Sequence, residues 1–131
     1  MGLFNSLFSG NNESNDAMKI NWKPLTESNQ FNVAFSQSKE KPFLIFKHST
    51  RCGISRMALK SFEKAYQSNA FEIDLYFLDL LNYRALSNEI SEKSVVSHQS
   101  PQVLVFKDEH VVYHDSHYSI DVNSIEKIIK G

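Results

Sequence analysis

Cys52 is the only cysteine in this 131-residue chain. A disulfide framework and a multi-cysteine zinc site are thereby excluded, and such sparing use of cysteine is normal for a reducing compartment. The cytoplasm is the expected location. An excess of one charge is also lacking: 14 Lys and Arg stand against 15 Asp and Glu, a formal net charge of -1. No basic field exists to hold nucleic acid, and no acidic tail is present. Apolar runs stay well short of the roughly 18 residues of a spanning helix, and the start Met1-Gly2-Leu3-Phe4-Asn5-Ser6-Leu7-Phe8 lacks the basic flank and apolar stretch of a signal peptide. Neither nucleic acid nor a membrane is expected as a partner.

What is present is the composition of an ordinary globular domain. Hydrophobic residues make up 41% and charged residues 22%, which is too apolar for a disordered chain and enough for one core without staples. Residues 9–16 carry nothing apolar to bury and read as a linker, so residues 1–18 are expected to be a flexible segment ahead of a single domain over 19–131. The leading segment fits a loose myristoylation pattern, and Leu3, Phe4, Leu7 and Phe8 fit one apolar helix face, but a frayed terminus is the expectation.

Along the domain, residues 22–25 read as a short strand and Thr26-Glu27 as a helix start, with Phe31, Ala34 and Phe35 on one face. Pro42 stops that helix. Phe43-Leu44-Ile45-Phe46, bounded by polar Lys47-His48-Ser49-Thr50, reads as a central strand covered on both faces. After Cys52, Ile54, Met57, Ala58, Phe62 and Ala65 recur at helical spacing. Residues 73–78 read as a buried strand ending at Asp79, and Tyr83, Leu86 and Ile90 mark a helix to about Lys93. Val103-Leu104-Val105-Phe106 and Val111-Val112-Tyr113 form a hairpin around a four-residue turn, and Val122, Ile125, Ile128 and Ile129 face inward from a last helix. Strands joined through helices imply parallel pairing, whereas the hairpin must be antiparallel. The fold class is therefore α/β, a thioredoxin-like mixed sheet with helices on both faces and a C-terminal hairpin plus helix.

Cys52 lies in the tetrad Cys52-Gly53-Ile54-Ser55, where a strand hands over to a helix. The spacing is that of a redox Cys-x-x-Cys with Ser55 in the second place, so no disulfide closes within the chain. The first helical turn favours a thiolate. Arg51, His48 and Arg56 lie close enough in sequence to add positive potential, and Ser55 is placed to donate its hydroxyl proton to the sulfur. The alternative is a small buried hydrophobe of no chemical role. His98-Gln99-Ser100-Pro101 precedes the hairpin strand, and proline belongs at a strand's first residue. By analogy with the fold, Pro101 is expected to be cis and to face Cys52, exposing the Ser100 backbone to a substrate strand; an ordinary trans proline is the alternative. His114, Asp115 and His117 suggest a metal site but lack a third ligand at recognisable spacing, so no metal is expected. Asp79 reads either as a proton acceptor near the sulfur or as a capping or solvated carboxylate.

Through Lys47-His48-Ser49-Thr50-Arg51-Cys52-Gly53-Ile54-Ser55, His98-Gln99-Ser100-Pro101-Gln102-Val103-Leu104-Val105-Phe106 and Tyr113-His114-Asp115-Ser116-His117, the chain resembles the YtxJ type of monothiol bacilliredoxin from about Trp22 onward. The resemblance implies a thioredoxin fold and an enzyme, a thiol-disulfide oxidoreductase that removes bacillithiol from mixed disulfides with client proteins. It implies that Cys52 is the nucleophile, that Ser55 stands where a resolving cysteine would be, and that Pro101 is the cis-proline. Gly53, Ser100, Pro101 and Arg51 are the residues expected around a bound substrate. No cofactor is expected to be bound; bacillithiol serves as co-substrate, and bacillithiol or another thiol reductase regenerates Cys52. A monomer is expected. The departure from the family is Gly53, where many relatives carry proline, a position that tunes the thiol in the wider thioredoxin group.

Two other functions fit parts of the pattern. A monothiol glutaredoxin of the Cys-Gly-Phe-Ser class, which carries an iron–sulfur cluster, differs from this tetrad at one residue. Such proteins need a paired-glycine segment after the hairpin, and the only glycines here are Gly2, Gly10, Gly53 and Gly131. A thioredoxin-like binding module without redox turnover is the remaining alternative.

Overall fold

A computed structural model describes residues 20–69 and 71–131. The expectations for residues 1–18 lie outside the described residues. Among the described residues, five strands and four helices follow in the order β1 (Lys23–Pro24), α1 (Ser28–Gln37), β2 (Phe43–His48), α2 (Gly53–Ser68), β3 (Asp74–Asp79), α3 (Arg84–Ser94), β4 (Gln102–Lys107), β5 (His110–Ser116) and α4 (Val122–Lys130), with a 3₁₀ turn at His117–Ser119 before α4. They form one mixed sheet in the order β1-β3-β2-β4-β5. Among the described residues, no helix is long and apolar enough to cross a membrane.

β2 is central because all six of its residues are buried. Alternation along it separates two cores. Phe43 and Ile45 point with Leu78, Leu104 and Phe106 toward Phe31 and Ala34 of α1 and Leu86 and Ile90 of α3. Leu44 and Phe46 point with Val103 and Val105 toward Ala58 and Phe62 of α2 and Val122 and Ile125 of α4. Phe43 and Phe106 are cross-strand partners whose rings stack at 4.8 Å, an arrangement worth about 0.5–1.5 kcal/mol beyond area burial. α1 starts where Gln30 Oε1 accepts from the Thr26 and Glu27 amides, at 2.8 and 3.0 Å.

Four expectations are corrected. The central strand does not end at Phe46: it continues through Lys47 and His48, paired with Leu78 and Asp79 of β3, and both side chains are buried. On α2 the buried positions are Ser55, Ala58 and Phe62, whereas Ile54 and Met57 are exposed at 41% and 60%; the inward face at 3.6-residue spacing is one position out of phase with those two. β4 is reached through a helix yet pairs antiparallel with β2, because the chain after α3 re-enters the sheet beside the C-terminal end of β2. The hairpin turn is two residues, Asp108 and Glu109, at φ 55° and 62°, the paired left-handed conformation that matches strand twist.

Candidate active site

β2 ends at His48, and residues 49–52 turn the chain into α2. The turn is closed by Cys52 N–H donating to the Ser49 carbonyl at 3.1 Å, and Cys52 is the residue that caps α2, with φ -105° and ψ 121° and its carbonyl accepting from Arg56 N–H at 3.1 Å. The half-buried thiol thus projects from the N-terminus of a 16-residue helix, where unpaired amides and the helix dipole favour negative charge. Gly53 is the first helical residue. Its φ lies outside the left-handed region, and an added Cβ would sit 3.8 Å from Arg56 Nη2, an ordinary contact. Nothing in the backbone demands glycine there. The Arg56 guanidinium arches back over this first turn, Nη1 donating to the Thr50 carbonyl at 3.4 Å, while Arg51 is exposed.

Ser55 does not serve Cys52 as expected. Its fully buried hydroxyl accepts from Ser49 N–H at 3.1 Å and lies 2.8 Å from His48 Nδ1. Both hydrogen bonds of the Ser55 hydroxyl run to the turn and to the end of β2, and none runs to the sulfur. Ser55 therefore ties the post-strand turn to the end of β2. His48 supplies no cationic field either. Burial lowers its pKa from the ordinary histidine value and Arg56 acts the same way, against the opposing influence of Asp79, the Ser55 backbone and Glu63. Asp79 does not cap α3, whose N-cap residue is Tyr83 without a side-chain cap; its carboxylate accepts from Leu81 N–H at 3.2 Å and Asn82 Nδ2 at 2.7 Å and closes the exposed turn after β3.

Opposite the turn stands Ser100-Pro101, joined by a cis peptide bond. The antiparallel register pairs Phe46 with Val103 and Lys47 with Gln102, so Pro101 falls beside the end of β2 from which residues 49–52 depart. Pro101 is buried, and its carbonyl accepts from His117 N–H at 3.1 Å. The Ser100 hydroxyl is buried with no hydrogen-bond partner among the described residues. Cys52, Gly53, Ser55, Ser100 and Pro101 are thereby gathered at one end of the sheet. His114 sits exposed on β5 and His117 in the following turn; among the described residues no group of three potential metal ligands forms.

Residues 23–125 match the family described as monothiol bacilliredoxin BrxC. The chain belongs to that family. As a bacilliredoxin it is of the thiol oxidoreductase class, and its one cysteine fits the monothiol type. Among solved structures, it is similar to a candidate oxidoreductase with a thioredoxin fold, at 31% identity and TM-score 0.68, over 79% of this chain and 89% of that one. Two thioredoxins share the fold at lower identity. That of Malassezia sympodialis is 17% identical, with TM-score 0.62 over 84% of this chain and 89% of its own. That of Trypanosoma brucei brucei is 13% identical, with TM-score 0.67 over 85% and 93%.

Sequence reasoning missed a polar cluster on the other face of the sheet. Lys47 Nζ, fully buried, lies 3.3 Å from the Ser87 carbonyl, 3.1 Å from Ser91 Oγ and 3.5 Å from His98 Nδ1. Burial pulls its pKa from 10.5 down to about 8. The available signal was the strand's length: six residues of β3 need six partners, which carries β2 through Lys47 and His48.

Proposed function

We propose that this bacilliredoxin removes bacillithiol from mixed disulfides with protein cysteines. The Cys52 thiolate attacks the bacillithiol sulfur; a Cys52–bacillithiol disulfide forms as the client–bacillithiol S–S bond breaks, and the client leaves as a thiolate that takes up a proton. A second thiol, bacillithiol itself or that of a reductase, then attacks the adduct. With bacillithiol, this releases oxidised bacillithiol disulfide and restores Cys52. No electrons are left over at either step. Ser55 in place of a second cysteine leaves the adduct to be resolved from outside.

The observation that carries this reading is a sole thiol on the N-cap residue of α2, beside the cis Ser100–Pro101 bond, in a chain matched to the monothiol family over residues 23–125. Arg51 and Gly53 border the thiol, and the Ser100 backbone is the edge on which an extended client segment would pair. The regenerating thiol and the client proteins are partners of the reading, and no bound cofactor is required by it. The test is transfer from a bacillithiolated client, followed by mass spectrometry of both proteins. Transfer that is lost in Cys52→Ser and kept in Ser55→Ala supports the scheme; a client that keeps its bacillithiol in the presence of the reduced protein overturns it.

A further inference from the structure

Lys47 is an unusual occupant of a central strand. It is on the α1/α3 face, away from Cys52, yet it is fully buried and no carboxylate pairs with it among the described residues. Lysine is almost never fully buried unless paired. The three ammonium protons have instead three acceptors: the Ser87 carbonyl and Ser91 hydroxyl on α3, and His98 Nδ1 on the segment that leads to Pro101. His98 is kept neutral, and so able to accept, by burial and by the charges of Lys47 and Arg84. Ser87 Oγ lies 3.2 Å from the same Nδ1.

Gln102, the cross-strand partner of Lys47, holds the same segment from its other side. Its buried amide donates to the Ser97 carbonyl at 2.9 Å and accepts from Gln99 N–H at 3.4 Å. Residues 97–99 carry no regular secondary structure. The side-chain hydrogen bonds that hold them come from Lys47, Gln102 and Ser87.

We propose that Lys47, acting with Gln102, is a positioning residue for the exchange site: from the far side of the sheet it fixes residues 97–100 so that Ser100 and Pro101 are presented beside Cys52. The role rests on the reading of Cys52 as the thiol that exchanges with a client. Lys47 touches neither thiol nor substrate, so it acts on client capture and leaves the intrinsic chemistry of the sulfur alone.

Lys47→Met preserves the stem and removes the donor, and His98→Ala removes the acceptor from the segment while leaving Lys47 on α3. In each folded variant, kcat/KM for a bacillithiolated client is expected to fall about tenfold, through KM, as befits lost substrate positioning. Alkylation of Cys52 by iodoacetamide should change by less than about twofold, since its helix is untouched. Hydrogen exchange at the Gln99 amide should speed up at least about tenfold. Unchanged client kinetics in a folded variant overturn the proposal, as does a fall matched by an equal fall in alkylation. If Lys47→Met does not fold, His98→Ala decides alone. If the wild-type protein transfers no bacillithiol, the function above fails, and the exchange measurement then decides whether Lys47 fixes this segment.

Discussion

Lys47 makes stability depend on pH in an unusual direction. In the unfolded chain its pKa is the ordinary 10.5; in the fold, burial brings it to about 8. Below pH 8 the amine is charged in both states and the fold bears the whole cost of burying it. Between pH 8 and 10.5 the unfolded chain holds a proton that the folded protein has released, so this group's contribution to stability rises with pH. Above 10.5 it is neutral in both states and the penalty is gone. At 1.36 kcal/mol per pKa unit the ceiling is about 3 kcal/mol, and about 1–3 kcal/mol is the expected span. Tyr66 and Tyr113, whose pKa values are raised above 10.0 by burial, lose stabilisation at higher pH and act in the opposite direction. Comparing the wild type with Lys47→Met cancels them. Hydrogen bonds that methionine cannot make add an offset at every pH, so the informative quantity is the change in the difference. Urea unfolding from about pH 7.5 to about pH 10 should shift the stability difference toward the wild type by about 1–3 kcal/mol. A difference that stays constant across that range refutes the buried, partly deprotonating lysine.

Other perturbations probe the thiol side of the sheet. Ser55→Ala leaves the Ser49 amide and His48 Nδ1 without their partner, which should lower unfolding free energy by about 1–3 kcal/mol while bacillithiol transfer persists; unaltered stability would contradict the buried hydrogen bonds. Gly53→Pro should raise stability by about 0.4–1 kcal/mol, since proline suits the first helical position and Cys52 already has the extended backbone it needs; a lowered urea midpoint would contradict this geometry. His48 and His98 both have pKa values lowered from 6.5 by burial. Below about pH 6.5 the unfolded chain binds protons that the fold resists, so stability should fall with acidification, and His98→Gln should lessen the fall. A urea midpoint that holds steady down to about pH 5 would count against neutral buried histidines.

The parts of this architecture that were legible in sequence are those written in apolar spacing and in proline. Phe43-Leu44-Ile45-Phe46 marked the central strand, and Cys52 was placed at the strand-to-helix junction. Pro101 was placed opposite it, with the cis bond the fold implied. What escaped were polar residues with buried roles. Lys47 and His48 read as polar residues beyond the strand because such residues are usually solvated, whereas pairing with Leu78 and Asp79 carries the strand through them. The hydrogen bonds of Ser55 to the end of β2 were not foreseen, because a hydroxyl one turn from the sulfur is also within reach of the preceding strand. Ile54 and Met57 were placed in the core because helical spacing alone leaves the phase of a short stripe undetermined. The antiparallel entry of β4 left no local mark at all.

The central claim is that Cys52 takes the bacillithiol and releases the client. Mixing the fully reduced protein with one equivalent of a bacillithiolated client, quenching with acid and weighing both chains intact tests it in a single turnover. The account predicts that the mass of one bacillithiol moves from client to Cys52, leaving the client as a free thiol. A protein whose mass does not change, or one joined to the client itself through Cys52, would contradict it.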